Sequence, residues 1–155
     1  MYNFNYHCPS SLQEAESLYA KSEDPMFLAG GHTLLPTMKQ RLNAPTDLID
    51  LAGLTELAGI SREGDVLQIG AYTRHADVAA SELVQAAIPA LAKLARGIGD
   101  TQVRNRGTIG GSVANNDPAA DYPAALLGLG ATVVTTKRSV PADEFFVDMF
   151  ETVLE

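Results

Sequence analysis

The chain reads as a mixed α and β fold in two stretches, and three observations predict this. Up to about residue 57, short strand-like runs alternate with helix-period segments. From Leu57 the pattern changes to a hairpin followed by several short helical segments. Two glycine-paired segments of one style, Ala29-Gly30-Gly31-His32-Thr33 and Thr108-Ile109-Gly110-Gly111-Ser112, fall one in each stretch.

The elements follow in order. Residues 2–6 alternate aromatic and Asn, a short strand pattern broken by Pro9. Ser11 and Glu14 have capping-box spacing, so a helix is expected to about Lys21. Met26-Phe27-Leu28-Ala29 reads as a buried strand ending in the first glycine pair. Thr33 is placed to cap a second helix reaching Leu42, with Pro36 in its first turn, where proline is tolerated. Leu48 to Leu51 completes a β-α-β-α-β segment over residues 1–57. Ile60-Ser61-Arg62, Glu63-Gly64 and Val66 to Ile69 make a hairpin. Thr73 and Ser81 are placed to cap short helices, Pro89 to open a third, and Gly97 and Gly99 to end it. Asp100 to Gly107 reads as a polar connection. A helix over Ala124–Leu129, a strand over Ala131–Thr136 and a helix over residues 142–149 are expected after the second glycine pair.

Charge and composition exclude several functions. Eleven basic against 19 acidic residues give a net charge of −8, which disfavours nucleic acid and anionic membranes as partners. Cys8 is the only cysteine, so the chain has no disulfide framework and no cysteine-based cluster site of its own. The N-terminus lacks a basic patch and an apolar run, and no stretch reaches ~18 consecutive apolar residues. No membrane span and a cytoplasmic address are the expectation.

The glycine pairs carry the functional argument. Glycine admits positive φ and brings ligands close to main-chain N–H groups, which can form an anion site without lysine. Two such segments suggest two linked phosphates, hence a dinucleotide. Taken singly, a Gly-Gly turn reads more readily as a tight strand-to-helix turn with no ligand. The run from Gln102 to Asp117 adds Asn amides, and Asp121 adds a carboxylate suited to ribose hydroxyls. The Asn and Asp residues also fit an ordinary turn cluster. Arg104 and Arg106 either neutralise a phosphate or are simply solvated. His32 shapes the loop, lines the ligand or acts chemically. There is no G-x-x-x-x-G-K-[ST] and no G-x-G-x-x-G after a strand, and His7, His32 and His75 have no metal-ligand spacing.

Leu28-Ala29-Gly30-Gly31-His32-Thr33-Leu34-Leu35, with Lys39, Arg41 and Leu42, resembles the FAD-binding medium subunit of molybdenum hydroxylases, the carbon monoxide dehydrogenase and xanthine dehydrogenase family. The likeness continues through Ile69 to Thr73, Gln102 to Ser112 and Asn115 to Pro123. It implies an α+β, two-subdomain FAD-binding fold of the PCMH type, with 1–57 as the first subdomain and 58–155 as the second. It also implies that the family's further C-terminal subdomain is missing from this sequence. FAD is the implied cofactor. Its implied contacts are Ala29, Gly30, Gly31, His32, Thr33 and Leu34, then Thr108, Ile109, Gly110, Gly111 and Ser112, with Asn115 and Asp121. Ile98 falls where the family sets a side chain against the adenine. The implied partners are a small 2Fe-2S subunit and a large molybdopterin-binding subunit, between which and an external acceptor the flavin relays electrons. Two rivals accompany this reading: a flavoprotein oxidase domain that tethers flavin through a histidine, and a flavin-free assembly fragment.

Overall fold

In the computed structural model, which describes residues 1–154, the first stretch forms a three-stranded parallel sheet. Strands β1 (Asn5–His7), β2 (Pro25–Leu28) and β3 (Asp47–Asp50) lie in the order β1-β3-β2. Strand β3 takes the centre, with Leu48 and Ile49 fully buried between Asp47 and Asp50. Helix α1 (Leu12–Lys21) packs Ala15 on Ile49 and Leu54. The Ser11 hydroxyl accepts from the Glu14 N–H, as the capping box predicts. The Glu14 carboxylate, however, accepts from the Ser10 main chain and hydroxyl. Helix α2 (Leu34–Lys39) is shorter than expected, and Thr33 sits at its N-cap without a side-chain bond. The first strand begins at Asn5, later than the alternation implied.

The second stretch opens with the expected antiparallel hairpin of β4 (Ile60–Glu63) and β5 (Val66–Ile69), turned by Gly64 at positive φ. Helices α3 (His75–Ala80), α4 (Glu82–Ala87) and α5 (Pro89–Gly97) follow. Ser81 and Pro89 act as predicted. Thr73 does not cap α3. Its hydroxyl donates to the Gly59 carbonyl and accepts the Gly59 N–H, and Arg74 holds the cap position. The polar connection is also corrected. Asp100 accepts from the Val103 N–H and starts a short helix, α6 (Thr101–Arg104).

The second glycine pair lies in the first turn of a helix, α7 (Ile109–Asn115), rather than in a loop or strand. Helix α8 (Asp121–Gly128) begins three residues before the expected Ala124, with Ala120 at its N-cap. Strand β6 (Thr132–Val134) pairs with β7 (Ser139–Pro141). The expected helix over 142–149 is one turn only, α9 (Ala142–Phe145), and the chain then folds into a hairpin of β8 (Phe146–Asp148) and β9 (Glu151–Thr152). Asn116, in the left-handed region, secures that hairpin: its Nδ2 donates to the carbonyls of Asp148 and Glu151. The main core gathers Val78, Val84, Leu91, Ala95, Ile109, Val113, Tyr122 and Phe145 from α3, α4, α5, α7, α8 and α9.

A main-chain bond joins the two stretches where they meet: the Tyr72 N–H donates to Leu57 O at 2.7 Å. Within the second stretch the Gly70 N–H donates to Gly59 O at 2.9 Å.

Candidate functional site

The two glycine segments meet. At the carboxyl end of β2 the chain turns through Ala29, Gly30 and Gly31 into α2, with Gly31 at φ +72. A Cβ built on Gly30 would fall on the carbonyl oxygen of Arg106 and 2.7 Å from the Gly107 Cα. A Cβ on Gly111 would lie 3.9 Å from the Ala29 Cβ. Glycine at position 30 therefore lets two main chains touch, and Gly111 faces Ala29 across the junction.

The two segments offer different donors. Among the described residues, the main-chain N–H groups of Gly30, Gly31, His32, Thr33 and Leu34 have no acceptor, while the Gly31 and Thr33 carbonyls serve the turns of α2. His32 is exposed, and its Nδ1 lies 3.0 Å from the Gly30 carbonyl. A carbonyl only accepts, so Nδ1 carries the proton there. This contact folds the imidazole back on the loop, and Thr33 leaves its hydroxyl to solvent.

The second segment does not present a row of free donors, contrary to the expectation from its glycines. Ile109 N–H donates to Thr73 O, Gly110 N–H to Ala71 O, and Ser112 N–H to Thr108 O. The Gly111 N–H goes to the buried Thr108 hydroxyl at 3.1 Å, a helix N-cap. Gly110 is glycine because a Cβ there would lie 2.6 Å from the Ala71 carbonyl oxygen. Ile109 points into the main core. What this segment leaves at the junction is the exposed surface of Gly111 and the half-buried Ser112.

Asn115 is half-buried at the end of α7, and Asp121 is exposed in the first turn of α8. Beside Asp121, the buried Tyr122 ring lies 5.4 Å from the ring of His75, whose main-chain N–H donates to the Gly107 carbonyl. From sequence, His75 is considered only as a metal ligand, for which its spacing does not fit. It is 5 % exposed, and burial, with repulsion from His32, pushes its pKa down to about 4. Its Nδ1 and the Tyr122 hydroxyl have no hydrogen-bond partner among the described residues. Burial and the Asp121 charge hold the Tyr122 phenol well above its ordinary pKa.

The two arginines take different roles. Arg104 is structural: its guanidinium donates to the carbonyls of Ile98 and Gly99 and to the Thr101 hydroxyl. Arg106 is exposed, with no bonded partner among the described residues.

The architecture is a parallel βαβαβ unit whose glycine turn carries a row of open main-chain donors and abuts a helical unit. The chain belongs to the family described as the FAD binding domain in molybdopterin dehydrogenase, which matches residues 2–155. It is 46% identical to the carbon monoxide dehydrogenase medium chain of Hydrogenophaga pseudoflava, across 98% of this chain and 55% of that one. It is 39% identical to the glyceraldehyde dehydrogenase medium chain of Sulfolobus acidocaldarius, across 96% of this chain and 54% of that one. Among solved structures, carbon monoxide dehydrogenase from Hydrogenophaga pseudoflava superposes with a TM-score of 0.95, covering 99% of this chain and 55% of that one. Quinoline 2-oxidoreductase from Pseudomonas putida 86 does so with a TM-score of 0.94 at 37% identity, covering 99% and 55%. The chain thus spans about half the length of the curated relatives it matches. No helix among the described residues is long and apolar enough to cross a membrane.

Proposed function

We propose that this chain holds the FAD of a cytoplasmic molybdenum-dependent hydroxylase or dehydrogenase, as the flavin part of its medium subunit. The observation that carries the reading is the run of open N–H donors from Gly30 to Leu34, set where the turn after β2 meets Arg106 and Gly107. Such a row suits the linked phosphates of a dinucleotide and needs no lysine, which matters in a chain of charge −8. In this reading residues 30–34 hold the pyrophosphate by their N–H groups. Ala29, Gly111 and Ser112 form the surface against which it lies, with Thr108, Ile109 and Gly110 fixing that surface from behind. Ile98, Asn115 and Asp121 serve the adenosine end. The two packing clusters support a division at residue 57, one around Ile49 and the other around Val78 and Phe145.

FAD, when bound, can accept and release one or two electrons, and the chain's part is to bind and orient it. In this reading the electrons come from a small 2Fe-2S partner, after oxidation of a substrate on a large molybdopterin-binding partner, and the lone Cys8 of this chain fits a flavin-only role. They leave to an external acceptor. The similarity to medium chains of carbon monoxide and glyceraldehyde dehydrogenases favours this over an oxidase with tethered flavin.

The test is a fluorescence titration of the purified chain with FAD, followed by acid precipitation. Saturable binding with flavin left in the supernatant is expected. Flavin carried down with the protein would support the tethered oxidase, and no binding would overturn the site. Adding the reduced small subunit should bleach the flavin absorbance, and an unbleached spectrum would refute the relay.

A further inference from the structure

A cleft opens beside the Arg106 segment. It measures about 460 Å³ and is lined by Ile60, Tyr72, Arg74, Asp77, Asn105 and Arg106, among others, and by no residue of the two glycine segments. Arg74 is oriented by a two-point pair with Asp77, its Nε donating at 2.8 Å and one terminal nitrogen at 3.1 Å. That leaves its other terminal nitrogen uncommitted. The Arg106 guanidinium has no hydrogen-bond or ion-pair partner among the described residues. Both guanidinium groups are near enough to the Tyr72 hydroxyl to oppose the rise that burial and Asp50 impose on its pKa. The Asn105 amide is tied by its nitrogen to the Thr101 carbonyl, which fixes that side chain at the rim. Ala58, Ile60 and the Tyr72 ring supply an apolar wall.

A volume of this size falls within the range of small-molecule sites, roughly 300–1,000 Å³. Forked guanidinium groups recognise carboxylate and phosphate oxygens in a way lysine does not, and here Arg74 is preoriented by Asp77. In a chain of charge −8, two arginines converging on one concavity stand out from the general field. We propose that this cleft is a second binding site, separate from the glycine junction, for a small organic anion whose carboxylate or phosphate group is held by Arg106 and Arg74 and whose body lies on Tyr72 and Ile60. The proposal does not depend on the FAD reading, since the two sites share no side chain.

The test is an NMR titration of the intact chain at constant ionic strength, following arginine Nε–H and backbone amide signals. The probes are inorganic phosphate, adenosine 5′-monophosphate and acetate. Saturable shifts centred on Arg74, Asn105 and Arg106 are expected, and the responding probe distinguishes phosphate from carboxylate. A charge-assisted fork lost from a partly exposed site should weaken that probe about tenfold in Arg106→Gln. Arg106→Lys, which keeps the charge and loses the fork, should recover only part. Lys93→Gln, which removes a charge from the exposed side of α5, should change nothing. Linear, unsaturating shifts would overturn the site, and so would an equal loss in Lys93→Gln. If Arg106→Gln weakens FAD as much as the small anion, the cleft belongs to the flavin site and the proposal of a second one fails. The backbone spectrum of each variant reports its folding independently.

Discussion

Gly30 and Arg106 touch main chain to main chain: the place a Cβ would occupy on Gly30 is filled by the carbonyl of Arg106. Both neighbours are backbone, so neither can swing aside. Gly30→Ala should therefore part the two segments. Overpacking of this kind costs about 1–3 kcal/mol, which calorimetry will read as a lower Tm. FAD affinity should fall with it, and a variant that melts and binds like the wild type would refute the contact.

Gly111 gives the opposite balance. It is exposed, and a Cβ there would press on the Thr108 hydroxyl at 2.9 Å and face Ala29. Gly111→Val should cover the junction surface while disturbing only the helix cap, worth ~1 kcal/mol. The expected signature is a large loss of FAD affinity with a small shift in urea midpoint. Equal affinities in the folded variant would remove Gly111 from the site.

Asp121 does not cap α8, because Ala120 occupies that position. Asp121→Ala should then cost only the first-turn charge, roughly 0.3–1 kcal/mol of stability. If it accepts from the adenosine end, a charge-assisted bond of ~1.5–3 kcal/mol is lost. FAD binding should weaken by about ten- to a hundredfold, while FMN, which lacks that half, should bind as before. Paired FAD and FMN titrations decide, and unchanged FAD affinity would count against the assignment.

His75 should make stability pH-dependent. Its folded pKa, about 4, lies below the ordinary 6.5, so the unfolded chain takes up the proton first. The contribution is complete above pH 6.5 and is lost as pH falls toward 4, in total on the order of 3 kcal/mol. Urea unfolding of wild type and His75→Gln between these limits will show it. The wild type should lose more stability on acidification than the variant, and parallel curves would overturn the reading.

Asn116 combines positive φ with two side-chain bonds to the last hairpin. Asn116→Gly keeps the backbone conformation and drops the bonds. Asn116→Ala drops both, adding about 1–2 kcal/mol of left-handed strain. Hydrogen exchange over residues 146–152 should quicken in both, while Ala alone lowers the global Tm further. Unchanged exchange in both would show that Asn116 does not hold the hairpin.

Much of the fold was legible in the residues themselves. Ser11 and Glu14, Ser81, Pro89, and the Glu63-Gly64 hairpin act through partners only a few residues away, so their local chemistry fixes the outcome. The order of glycine and Asn motifs also sufficed to point to the FAD-binding family, which residues 2–155 match. The identical-looking glycine pairs were not separable in this way. One keeps its donors open, whereas the other spends them on Thr73, Ala71 and Thr108 within a helix. Arg104 and Arg106 read alike in sequence too, yet one ties down a turn and the other lines a cleft. Residues 142–149 read as helix, yet from Phe146 the chain forms a hairpin held by Asn116, far back in the chain. Sequence alone determined the caps at Ser11 and Ser81, the turn at Gly64 and the family. Tertiary structure decided which polar groups remain unsatisfied, because a buried N–H takes whichever acceptor the packing of distant segments brings to it.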